Sequence, residues 1–237
     1  MAKRLNRSLK SVQMKSMKLG IVKGRKLTRK SIINDFYFHK WSHNMAYILG
    51  FILADGCIIK TKNKNQLILS FCIARFDKCI LEFIRNEISP NRKIYNSQTI
   101  KNKTLCYDCH LEFPSKILCT KLMQLGIRPR KTGKEILPKI PTKYKYSFLQ
   151  GLFDGDGCIT KSKCGQYKFS ICSSNEKFLF NLKKYYQNKG WVFYPKSGYG
   201  TWGMSSYKDI IWIFNKLYRN VKVILDRKFV KFPNGNY

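Results

Sequence analysis

Acidic residues are scarce: 13 Asp and Glu stand against 46 Lys and Arg in 237 residues, a formal charge of +33. A chain so short of anions repels itself when compact, and the natural offset is a polyanion. Nucleic acid leads, because each phosphate neutralised by Lys or Arg releases a condensed counterion. A long apolar run is also lacking. The longest, Met45 to Ala54, is about half of the roughly 20 residues that cross a bilayer, so an acidic membrane surface is the weaker polyanion. No secretory signal is recognisable and the 9 cysteines are an odd number, which implies reduced thiols inside a cell. The bacterial or phage cytoplasm, or an organelle, is the expected compartment. A second metal-ligand pair is missing too: Cys106-Tyr-Asp-Cys109-His110 stands alone, in a stretch from Thr104 to Phe113 that reads as a strand rather than a zinc site.

Apolar residues make up 44% and aromatics 14%, enough for a buried core of one or two domains. Basic residues run through the whole chain, which suggests an extended binding surface. The region before position 44 differs: it holds no acid before Asp35. Residues 1–43 read as a basic arm, with a short helix expected around Ser11 to Leu19.

The remainder is duplicated. Tyr47-Ile-Leu-Gly-Phe-Ile-Leu-Ala-Asp-Gly-Cys-Ile58 parallels Phe148-Leu-Gln-Gly-Leu-Phe-Asp-Gly-Asp-Gly-Cys-Ile159. Gly50 matches Gly151 and Asp55 matches Asp156. Gln66-Leu-Ile-Leu-Ser-Phe-Cys72 then parallels Gln166-Tyr-Lys-Phe-Ser-Ile-Cys172. A helix-like stretch follows each, Asp77 to Ile88 and Asn175 to Lys189. Each copy ends on a basic dipeptide, Arg130-Lys131 and Arg227-Lys228. Leu67, Leu69, Phe71 and Ile73 alternate with polar positions, as do Tyr167, Phe169 and Ile171, the period of a strand with one apolar face. Each half therefore reads helix, strand, strand, helix, strand, strand, helix: an α+β fold of two pseudo-symmetric αββαββα halves, with antiparallel sheets whose polar faces stay open. The expected domains are 44–135 and 136–237, joined by a linker over 126–145 that Pro129, Pro138 and Pro141 stiffen.

Glycines at positions 50 and 151 would let the two repeated helices approach closely, so that Asp55 and Asp156 converge. Two carboxylates forced together repel, and a divalent cation resolves the repulsion. Hard oxygen ligands select magnesium or manganese. The carbonyls of Ala54 and Gly155 could add further oxygens. An acid at a helix C-terminus is itself unfavourable, and having it twice again suggests a cation.

The two motifs resemble those of the LAGLIDADG homing endonucleases, with Ile48 to Gly56 and Leu149 to Gly157 as the nine positions. Leu53 departs from the family pattern at the sixth position, where Asp154 keeps an acid. The eighth carries the metal-binding acid, Asp55 and Asp156. Pro129-Arg-Lys-Thr132 also resembles a family segment that bears a basic active-site residue, which makes Lys131 and Lys228 further catalytic candidates. The resemblance implies a monomeric, intron-encoded or free-standing homing endonuclease whose sheets form a saddle on double-stranded DNA. It implies a long pseudo-palindromic target and a double-strand break with short 3′ overhangs. Mg2+ is the expected cofactor, Mn2+ a substitute, and Ca2+ an ion that permits binding without cleavage. Lys60, Lys62, Gln66, Ser70, Lys161, Lys163, Gln166, Lys168 and Ser170 are expected on the open sheet faces, where Lys and Gln can meet guanine and adenine edges. Arg75, Tyr95, Gln98, Lys196 and Trp202 are further candidates. An RNA maturase that assists group I intron splicing, a non-cleaving DNA-binding relative, and a purely structural basic protein remain the alternatives.

Overall fold

In the computed structural model, residues 32–61, 66–101, 104–195, 198–219 and 222–235 are described, together with Ser8 and Ser11. Residues 12–19 of the helix expected from Ser11 to Leu19, and the candidates Lys62 and Lys196, lie outside the described residues. The body runs from Ile33 to Tyr237. Residues 33–43, read from sequence as the end of the arm, thus pack with it: Phe38 is buried, and Asn34 donates to the Ile88 carbonyl at 2.9 Å.

Helix α1 (His43–Asp55) begins where the Ser42 hydroxyl accepts the Met45 amide at 3.0 Å, satisfying a first-turn N–H that has no partner within the helix. It is apolar on every side, and Met45 through Leu53 are all buried, as befits a helix at the centre of a protein. Gly56 turns the backbone to an extended conformation (φ −78°, ψ 150°), so β1 (Gly56–Lys60) follows without a loop. β2 (Leu67–Ala74), α2 (Lys78–Ile88), β3 (Tyr95–Lys101), β4 (Thr104–Pro114) and α3 (Lys116–Gln124) complete the first half. The second half repeats the series: α4 (Lys145–Asp156), β5 (Gly157–Lys161), β6 (Tyr167–Ser173), α5 (Glu176–Tyr185), β7 (Trp191–Phe193), β8 (Gly200–Met204) and α6 (Tyr207–Leu217), followed by a short α7 (Asp226–Phe229). The stretch expected to be helical through Lys189 stops at Tyr185, because Gln187 and Asn188 adopt positive φ.

The two sheets are antiparallel and share one topology, β1-β2-β4-β3 and β5-β6-β8-β7. Their registers match as well. Cys57 lies opposite Ser70, and Cys158 opposite Ser170. Leu69, Phe71, Leu111 and Phe113 in one sheet, and Phe169, Ile171, Trp202 and Met204 in the other, face the helices and form the core. The linker is fastened to the second half: the Asn175 amide donates to the Glu135 carbonyl at 3.0 Å, and the Tyr185 hydroxyl to that of Ile140 at 2.6 Å.

Candidate active site

Helices α1 and α4 touch backbone to backbone. A methyl group placed on Gly50 would land on the Phe148 carbonyl oxygen, and one on Gly151 on the Tyr47 carbonyl oxygen. Glycine is required at both positions by this approach, as the spacing of the repeats suggests. The closeness persists to the helix ends. A Cβ at Gly155 would collide with the Ala54 side chain and lie 3.1 Å from Asp55 Oδ2, so the pair Ala54 and Gly155 leaves room for one methyl, not two.

Asp55 and Asp156 therefore end their helices beside the pseudo-dyad, at the surface but flanked by protein. Partial loss of water raises the pKa of Asp55, against the opposing pull of Lys228 and Lys131. The same loss of water, reinforced by the charge of Asp55, pushes Asp156 up to about 6. The charge of Asp55 thus opposes ionisation of its neighbour.

Each helix end is held by a lysine from the late basic dipeptide of its own half. Lys131 Nζ donates to the Ala54 carbonyl at 2.6 Å. Lys228 Nζ donates to the carbonyls of Phe153, Asp154 and Gly155 at 2.6, 2.8 and 3.2 Å, and lies 5.1 Å from the centre of the Phe153 ring. Burial lowers the pKa of both lysines, and brings Lys228 to about 8 despite the nearby acids. These ammonium groups occupy the negative ends of the helix dipoles. The electrostatic conflict visible in the sequence, an acid at each helix terminus, is thus met in part by the protein's own cations. Carbonyls expected to be free oxygen ligands at Ala54 and Gly155 accept lysine N–H bonds here; each carbonyl oxygen retains a second lone pair.

The halves differ at this centre. Asp154 is 2% exposed and accepts a hydrogen bond from Tyr47 of the facing helix at 2.8 Å. Its other oxygen, and the nearby Tyr218 hydroxyl, are buried without a hydrogen-bond partner. Burial pushes Asp154 up to about 7. Arg227, next to Lys228, makes a bidentate pair across the halves with Asp77, at 2.8 and 2.7 Å. Sequence reasoning missed Tyr47 and Asp77; a lone acid inside an apolar helix was the available signal that Asp154 needs a polar partner.

The open sheet faces are less basic than expected. Directly opposed residues share a face. Lys60 opposes Leu67, and Lys161 opposes Tyr167, in phase with the buried rows of Ile58 and Ile159. Both lysines therefore point to the helix side at the strand ends, not to the open face. Lys161 Nζ lies 5.2 Å from the Tyr167 ring centre. Lys168 does lie on the open face, 5.0 Å from the centre of the Trp191 ring. Ser170 shares its row with Gly203 and Trp191, and the indole spreads over that row: a Cβ on Gly203 would be 2.7 Å from it. Ser170 is buried as a result. Ser70 is half-buried on its open row, while Arg75, Lys163, Gln166, Tyr95 and Gln98 are exposed and Gln66 half-buried. Trp202 is fully buried, donates to the Lys189 carbonyl at 2.9 Å and stacks on Tyr186, so its place is the core. Cys106 and Cys109 sit on opposite faces of β4, and no group of three or more His, Cys, Asp or Glu gathers among the described residues.

Two helices interlocked through glycine, ending in paired acids between two antiparallel saddles, define the homing endonuclease fold. A LAGLIDADG-like domain matches residues 143–199, and the chain as a whole shares its fold with single-chain LAGLIDADG homing endonucleases. A lysine-to-alanine variant of I-SmaMI superposes with a TM-score of 0.56 at 15% identity, over 78% of this chain and 87% of that one. I-SmaMI bound to an uncleaved DNA target in the presence of calcium ions gives 0.52 at 15% identity, over 83% and 95%. Mesophilic variants of the homing endonuclease I-DmoI give 0.51 at 16% identity, over 76% and 97%. An uncharacterized protein of Methanocaldococcus jannaschii is 27% identical over 168 residues, 66% of this chain; the match spans 58% of that relative.

Proposed function

We propose that this chain is a metal-dependent endonuclease that makes a site-specific double-strand break in DNA. The observation that carries the reading is the convergence of Asp55 and Asp156 at the ends of two glycine-locked helices. Their donor set suits a magnesium-class ion, which takes one or two carboxylates and completes its shell with phosphate oxygens and water. Such an ion, when bound, activates water and stabilises the departing 3′ oxygen. The two acids hold it at the pseudo-dyad, one serving mainly each antiparallel strand. Lys131 and Lys228 fix the carbonyls just before each acid and so set the direction of both carboxylates; their charge also offsets that of an incoming phosphate. The sheets lie along the major groove, and residues such as Gln66, Ser70, Gln166 and Lys168 read base edges. Strand-end lysines, Lys60 and Lys161 among them, contact phosphates instead. A monomer with unlike halves suits a long, imperfectly palindromic target, cut across the minor groove to leave short 3′ overhangs.

Purified protein incubated with magnesium and a randomised DNA library should yield cleaved molecules that share one long site. Calcium should support binding of that site without cutting. Asp55→Asn and Asp156→Asn should each abolish double-strand cleavage while sparing binding, and undiminished cutting by both would overturn the assignment.

A further inference from the structure

At the other end of the central helix pair from the two acids, a cavity of about 410 Å³ opens. At about 1.5 Å per residue, the length of α4 separates this cavity from Asp156 by on the order of 16 Å. Lys143, Lys216 and Arg219 line it, and no carboxylate occurs among its described lining residues. Three cations gathered without an acid repel one another, and an anion between them relieves that repulsion. His43 Nδ1 and Ser147 Oγ, 2.8 Å apart, supply a fixed polar floor. Tyr146 adds a ring wall, with Lys216 Nζ 5.5 Å from its centre.

The cluster is not a by-product of the duplication. Alignment of Gly50 with Gly151 places Ser42, Met45 and Ala46 where Lys143, Tyr146 and Ser147 stand. Alignment of the helix caps Ser115 and Ser206 places Leu125 where Lys216 stands. The same alignment places Arg128 where Arg219 stands, so the arginine recurs but one half alone carries the two lysines and the ring.

We propose that this cavity is a nucleotide-phosphate site, with a phosphate held by Lys143, Lys216 and Arg219 and a base set against Tyr146. The volume lies within the range of small-ligand pockets and exceeds the needs of a bare phosphate ion. The same chemistry admits a free nucleotide or one nucleotide of a nucleic-acid strand. Because the cavity lies away from the paired acids, it stays open while DNA occupies the saddle.

Calorimetric titration of the intact protein with adenosine monophosphate, inorganic phosphate and a short single-stranded oligonucleotide, at constant ionic strength in chloride, tests the site. The monophosphate should bind more tightly than inorganic phosphate. The pair Lys216→Gln with Arg219→Gln should weaken its binding about tenfold or more, the range expected when two charge-assisted hydrogen bonds are lost. Lys143→Gln should weaken it as well, and melting in chloride verifies that both variants fold. The control pair Lys139→Gln with Lys177→Gln removes equal charge from exposed positions elsewhere and should leave affinity within about twofold. Oligonucleotide affinity that falls in the site pair but not in the control pair assigns the strand as the source, and a fall confined to the monophosphate assigns the free nucleotide. Equal weakening in the site and control pairs, or unchanged affinity in both site variants, would overturn the proposal. DNA cleavage is not read in any arm, so failure of the endonuclease reading leaves this result standing.

Discussion

Asp156 carries two opposed demands, since metal binding needs its carboxylate ionised while the flanking protein and Asp55 raise its pKa to about 6. Protons therefore compete with metal. At limiting magnesium the cleavage rate should fall as pH drops through about 6, and raising magnesium should move that midpoint to lower pH, which rate profiles at two metal concentrations would reveal. The stability sign is the reverse. A folded pKa above the unfolded value of 3.8 gives a contribution that is present below pH 4 and lost as pH rises through 6. In metal-free protein, Asp156→Asn should melt close to the wild type near pH 4 and above it past pH 6; a difference that does not grow with pH would refute the electrostatic account. Lys228 poses a second residue-scale question. It is 4% exposed and bonded to three carbonyls, whereas Lys131 is half-buried and bonded to one. Lys228→Met should cost about 1–3 kcal/mol in urea denaturation, the cost of stranded buried acceptors, and Lys131→Met less.

At the scale of elements, the α1–α4 pair depends on two missing side chains. Gly50→Ala or Gly151→Ala would drive a methyl into a backbone carbonyl that cannot move without shifting a whole helix. Either variant should lose about 3 kcal/mol or more, at the upper end of overpacking costs, and lose cleavage with it; thermal and chemical melts would show this. The alternation of the strands made their buried rows readable from sequence: Leu69, Phe71, Phe169 and Ile171 are all buried. The lysines of β1 and β5 were misplaced by the same reasoning. They follow the buried phase of Ile58 and Ile159, yet lie at strand ends where that face is open to solvent. A charge count along a strand cannot show where its covering helix stops.

For the molecule as a whole, charge dominates. With +33 to place, DNA binding should be driven largely by counterion release, and affinity should drop by about 10³ or more between 50 and 200 mM salt if six or more phosphates are neutralised. Filter binding across a salt series would measure the slope, and a flat dependence would exclude the saddle as a phosphate-lined surface. The repeat, the order of elements, the glycine contact and the acid at the end of each helix were determined by the sequence alone, because each is a local pattern written twice. The tertiary structure decided the rest. Lys131 and Lys228 reach the helix ends from far along the chain, Tyr47 meets Asp154 across the dyad, Asp77 pairs with Arg227 between halves, and Trp191 covers Ser170. Such contacts join residues distant in sequence, so no periodicity records them, and only packing brings them together.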